Sequence, residues 1–154
     1  MMNNEALKEL INSWFPELEF WEEGSEFLNI EVAPDQLFAL MRRLKEDEQS
    51  SFDYLYCLSG VDWGETLGVI YHLESTNHRH SVVVRVQTKD RDQPTLDSVS
   101  SIWYTADFHE REVFDFFGIT FSNHPNLKRL FLTEEWEGFP LRKDYVDEIN
   151  MIIK

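Results

Sequence analysis

A chain of 154 residues with 42% hydrophobic and 14% aromatic residues is long enough for one domain, in which roughly two thirds of the surface of the unfolded chain is buried, and too apolar for a disordered segment. Its formal net charge of -15 excludes nonspecific binding to nucleic acid or to an anionic membrane surface. Residues 1–50 carry four Lys or Arg against twelve Asp or Glu, which predicts a well-solvated outer face at the N-terminal end.

In chain order, Ala6, Leu7, Leu10, Ile11 and Trp14 recur at helical spacing, predicting a helix over 5–14 capped by Asn4 and ended by Pro16. LEFW and EFLNIEV flank Gly24 and Ser25 and read as a hairpin, with Phe27, Asn29 and Glu31 on one face and Leu28, Ile30 and Val32 on the other. Pro34 suits the first turn of a second helix with Leu37, Leu40, Met41 and Leu44 as its buried stripe. Three strands follow over 52–58, 66–75 and 80–88, close enough in sequence to pair antiparallel. After Pro94, Asp97 or Ser98 caps a turn carrying Val99, Ile102 and Trp103; Asp107 then caps a renewed helix with Glu110 at the capping-box position. This order implies an α+β two-layer sandwich, a mostly antiparallel sheet with helices packed on it. We divide it into a core over 1–118 and an ordered, irregular C-terminal segment over 119–154 that contacts a partner.

The stretch HEREVFDFFG at 109–118 concentrates titratable groups among phenylalanines. Glu110, Glu112 and Asp115 beside His109 have the makings of acid-base chemistry, so a soluble enzyme using Glu110 or Asp115 is one reading. Helical spacing instead puts Arg111 and Asp115 on one face and Glu112 elsewhere, which suits a network of ion pairs. His72, His78 and His80 sit near a hairpin turn without a zinc or calcium motif, and read as polar groups facing solvent. Cys57 reads as a small buried hydrophobe; alone it permits neither an internal disulfide nor an iron-sulfur cluster. Gly-rich phosphate loops and nucleophile motifs are absent, and the start MMNNEALKEL lacks a signal peptide's basic and apolar regions, so cytoplasm is the expected compartment. Between Phe108 and Tyr145, aromatics and both charge signs alternate with Gly and Pro, and Trp136, Phe139 and Arg142 have the composition of an interface. A freestanding adaptor domain would fit that composition too.

The segments HEREVFDFFGI, HPNLKRL and EGFPLRKDY resemble the signature of the C subunit of bacterial NADH-quinone oxidoreductase, the 30-kilodalton subunit family of respiratory complex I. SVVVRVQT followed by PTLDSVSSIWYTADF adds a weaker match, so the resemblance covers roughly residues 50–145. The matching positions are Glu110, Arg111, Glu112, Asp115 and Gly118, then His124, Pro125, Lys128 and Arg129, then Gly138, Pro140, Leu141, Arg142, Lys143 and Asp144. Phe116 stands where the family often has methionine, and Asn123 where it often has glycine; Asn123 is read as capping a short helix from His124. The resemblance implies a non-catalytic, cofactor-free subunit of the peripheral arm, packed on the large quinone-site subunit (the 49-kilodalton homologue) and near iron-sulfur subunits. NADH, flavin, iron-sulfur clusters and quinone would be held by partner subunits. The location implied is the cytoplasmic side of the inner membrane, with membrane association only through the complex. Related membrane-bound hydrogenases and dehydrogenases with donors other than NADH use an equivalent subunit. In this setting Arg111, Arg142 and Lys143 pair with carboxylates in this chain or across the interface.

Overall fold

The computed structural model of the protein describes residues 3–22, 27–125, 127 and 138–142. Its first helix, α1 (Asn4–Trp14), is capped by Asn3, whose Oδ1 accepts the Ala6 amide at 2.8 Å. The cap falls one residue before the expected Asn4 because Asn3 keeps extended backbone and Asn4 is already helical. Strands β1 (Glu19–Trp21) and β2 (Leu28–Val32) pair antiparallel, with Phe20 opposite Ile30. Alternation places Leu28, Ile30 and Val32 in the core, as the sequence predicts. A 3-10 turn at Pro34–Gln36 leads into α2 (Leu37–Glu46), which buries Leu37, Leu40, Met41 and Leu44. The Arg43 guanidinium lies 4.7 Å from the Trp14 ring centre and ties α2 to α1.

β4 (Leu67–Ser75) pairs antiparallel with both β3 (Tyr54–Asp62) and β5 (His80–Thr88), which complete a sheet in the order β1-β2-β5-β4-β3. The β2–β5 contact is parallel, with Ile30 opposite Val84. A register shift between Leu55 and Cys57 breaks the two-residue period, so that Leu55 and Leu58 are both buried although three residues apart. Cys57 is correspondingly half-exposed rather than buried, its Sγ 3.4 Å from Ser59 Oγ. On the less covered face of the sheet Glu31 holds Arg85 at 2.8 Å and Gln87 at 2.6 Å, and Arg85 lies against Trp21 and Trp63.

The region after Pro94 departs from the expected helix. A short strand, β6 (Thr95–Asp97), comes first and pairs parallel with β7 (Thr120–Ser122). The helical turn follows it, with the Ile102 and Trp103 amides both bonded to the Val99 oxygen. Helix α3 (Ala106–Phe117) starts before Asp107, so Asp107 occupies the first turn rather than the cap, and Glu110 faces inward instead of closing a capping box. Thr105 has no capping bond; its hydroxyl donates to the Leu55 oxygen at 3.0 Å, and the Trp103 indole donates to the Phe52 oxygen at 2.9 Å. Those two bonds fix the start of α3 on β3. Further along, Phe117 lies over Gly60, where a Cβ would meet its ring at 2.6 Å. The architecture is the expected α+β sandwich, a mostly antiparallel five-stranded sheet with three helices packed on it.

Candidate functional site

α3 is covered on two sides. Its first side carries Ala106, Glu110 and Val113 into the core, with Phe117 packed against it. Its C-terminal half meets the segment 138–142 at Phe114, Phe116 and Gly118. The Phe114 and Phe139 ring centres are 6.2 Å apart, and the Leu141 amide donates to the Phe116 oxygen at 3.0 Å. The helix ends at Gly118, which takes φ 76° and donates its amide to the Phe114 oxygen at 2.9 Å. A Cβ on Gly118 would lie 2.5 Å from the Phe139 ring, so glycine serves both the left-handed turn and the close approach.

Glu110, with 0% exposure, joins α3 to the turn after β6. Its Oε1 accepts the Ser98 hydroxyl at 2.5 Å and its Oε2 accepts the Val99 amide at 2.8 Å. It therefore closes the N-terminal end of the 98–103 turn, a different helical start from the one its spacing predicted. Burial raises its carboxyl to about 7 against the lowering effect of the Ser98 and Val99 hydrogen bonds, with the Asp107 charge adding to the rise. From beyond β7, His124 reaches the same place: its side chain is fully buried, and Nε2 is 3.0 Å from Asp107 Oδ1 and 3.9 Å from Glu110 Oε1. The geometry favours the Asp107 main-chain oxygen, 3.1 Å away, as the hydrogen-bond acceptor, and leaves Oδ1 without one. Asn123, read as a helix cap, instead holds φ 67° in the turn that directs His124 inward.

A second tether holds the C-terminal segment. Asp62, almost fully buried at the end of β3, takes both guanidinium nitrogens of Arg91 at 2.8 and 2.9 Å and the Gly64 amide at 2.8 Å. Arg91 then offers its main-chain oxygen to Arg142 at 2.6 Å. Arg142 is thus bonded inside its own chain.

The remaining signature residues distribute unevenly. Asp115 of α3 is fully buried, Arg111, Glu112 and Pro140 are half-buried, and Pro125, Gly138 and Leu141 are exposed. Arg111 and Asp115 share a face as predicted, yet no ion pair joins them, and the buried Nε of Arg111 has no hydrogen-bond acceptor among the described residues. Lys128, Arg129, Trp136, Lys143 and Asp144 lie outside the described residues. Large apolar groups remain uncovered at both ends of α3: Tyr104 at 88%, Phe108 at 49% and Leu141 at 56% exposure. The surface depressions between α1 and β1, between α2 and the 98–103 turn, and beside β2 and the Thr66 loop include none of Glu110, Glu112 and Asp115.

The histidines of the β4–β5 turn also differ from their expected solvent-facing role. His80 buries both ring nitrogens against Phe52 and stacks on His78, while His78 Nε2 contacts the Glu48 oxygen at 2.9 Å. Among the described residues no group of three or more His, Cys, Asp or Glu is placed to hold a metal ion. No helix among them is long and apolar enough to cross a membrane. Sequence reasoning missed Asp62 and Arg91 as site-building residues; the only local signal was the spacing Asp62-Trp63-Gly64, which favours the observed Asp-capped turn. It also missed Tyr71, whose fully buried hydroxyl lacks a hydrogen bond among the described residues and lies in the electrostatic reach of Glu110.

Residues 30–149 match the family described as respiratory-chain NADH dehydrogenase, 30 Kd subunit. Over 122 residues the chain is 48% identical to the C/D subunit of NADH-quinone oxidoreductase from Phocaeicola vulgatus, covering 79% of this chain and 23% of that one. The C subunit of the Chloroherpeton thalassium enzyme is 46% identical over 114 residues, covering 72% of this chain and 47% of that one. The C subunit from Chlorobium phaeobacteroides is 46% identical over 125 residues, covering 78% and 71%. The chain therefore spans less than half the length of the first two of these relatives. Among solved structures, a chain of the membrane-bound sulfane sulfur reductase (MBS), an archaeal respiratory membrane complex, superposes with a TM-score of 0.79 at 25% identity, covering 94% of this chain and 86% of that one.

Proposed function

Because the chain belongs to the respiratory-chain NADH dehydrogenase 30 Kd subunit family, we propose that it is a non-catalytic peripheral-arm subunit of a proton-translocating NADH-quinone oxidoreductase. It supports the large quinone-site subunit during electron transfer from NADH to quinone. NADH, flavin, iron-sulfur clusters and quinone belong to partner subunits in this reading, and the complex holds the chain at the cytoplasmic face of the inner membrane. Relatives named as C/D subunits favour the quinone-site partner, since a matching segment occupies 23% of one such chain and the rest is covalently joined to it.

The observation that carries the reading is Arg111. In a chain with 29 acidic residues it forms no ion pair among the described residues, although it sits on the signature helix one turn from buried Asp115. A half-buried guanidinium needs a counter-charge, and a carboxylate of the neighbouring subunit supplies it. The uncovered Tyr104 and Phe108 give the same surface buried area to offer. Arg111→Ala in the intact complex is expected to lower assembled complex and quinone reduction about tenfold, while ferricyanide-linked NADH oxidation per flavin keeps its NADH affinity. Normal assembly accompanied by lost NADH binding would sink the proposal.

The likeness to the sulfane sulfur reductase chain favours a second reading, the equivalent subunit of a related complex with another electron donor. What co-purifies from detergent-solubilised membranes separates the two: NADH-oxidising subunits support the first, their replacement by other donor-handling subunits the second.

A further inference from the structure

Three titratable groups converge behind α3, the side chains of Glu110 and His124 fully buried and that of Asp107 34% exposed, and the docking role uses none of them. The Asp107 carbonyl oxygen can only accept, so the His124 Nε2 that faces it at 3.1 Å carries a hydrogen. Two carboxyl oxygens approach that same nitrogen, Asp107 Oδ1 at 3.0 Å and Glu110 Oε1 at 3.9 Å. The surrounding elements add acids: Asp97 of β6 and the Tyr71 hydroxyl of β4 act electrostatically here, and burial followed by the charges of Glu110 and Asp97 pushes Tyr71 well above its ordinary value. The turn contributes the Ser98 hydroxyl and the Val99 amide. Lys45 of α2 donates to the Ile102 oxygen of that turn, and no Lys or Arg pairs with Glu110 among the described residues. A second carboxylate beside the fully buried Glu110 carboxyl disfavours its charged form, and retaining one proton on Glu110 removes that repulsion.

We propose that Glu110, His124 and Asp107 form a proton-binding site, in which one proton held on the buried Glu110 carboxyl beside the His124 imidazole latches α3 to the 98–103 turn and to the segment after β7. Losing it sets two negative carboxylates side by side against His124 and loosens the turn that carries His124 and Pro125. The sign of the linkage follows from Glu110, whose folded value of about 7 exceeds its ordinary value of 4.5. Between those values the folded chain keeps a proton that the unfolded chain has lost, so this contribution to stability is complete below 4.5 and declines as pH rises to 7.

Carbon-13 NMR of the full chain tests this by following the Glu110 carboxyl carbon and the His124 ring together. The expected result is a Glu110 midpoint near 7 with the His124 signal inflecting at the same pH. In His124→Asn the Glu110 midpoint moves. Glu110→Gln flattens the fall of the urea midpoint between pH 4.5 and 7. A wild-type Glu110 midpoint at the ordinary carboxylate value, or one unmoved in His124→Asn, overturns the proposed site; the wild-type titration decides even if a variant does not fold.

Discussion

Gly118 shows how a single residue sets the geometry of the signature helix. Its positive φ ends α3, and its missing side chain admits the Phe139 ring. Gly64 provides the matched control, since it has φ 94° but nothing within 4 Å of a Cβ. Gly118→Ala is therefore expected to cost about 3 kcal/mol, the left-handed strain plus displacement of a ring, and Gly64→Ala about 1 kcal/mol, the strain alone. Urea unfolding measures both, and equal losses would show that the ring contact contributes nothing. The glycine at a helix end was visible in the sequence, because that spacing is a common stop signal. Its second role was not, since Phe139 is 21 residues away in the chain.

At the level of elements, β3 and the segment 138–142 are joined through Asp62, Arg91 and the Arg91 main chain. Asp62→Asn removes the charge that holds Arg91 and is expected to cost about 2 kcal/mol, because the carboxylate is buried while Arg91 is partly solvated. The loss should be local to the tether. Hydrogen exchange at the Leu141 amide, which bonds Phe116, is predicted to speed up about tenfold, with the β4–β5 ladder unaffected. Uniform acceleration across both would mean that the pair supports the whole fold instead. The elements themselves were largely legible: the stripe of α2 and the alternation of β2, β4 and β5 follow directly from period 3.6 and period 2. Strand β6 was not, because TLD is too short to show a period and its partner β7 lies beyond α3.

For the molecule as a whole, a net charge of -15 means that the folded chain repels itself. Raising salt from about 50 to about 500 mM shortens the screening length below the spacing of most surface charges, and is predicted to raise the melting temperature by about 2–4 °C. A fall over that range would show that surface ion pairs such as Arg42–Glu46 outweigh the repulsion. Composition, periodicity and the three ordered motifs by themselves determined the α+β class, the helices and main strands and the family, because each is written in local patterns of residue type. Only the tertiary structure decided that β2 pairs parallel with β5, that Glu110 turns to Ser98, Val99 and His124, and that Arg111 finds no ion pair among the described residues although Asp115 is one turn away. The physical reason is that periodicity names the face a side chain occupies, while its partner on that face comes from segments brought together only when the core closes.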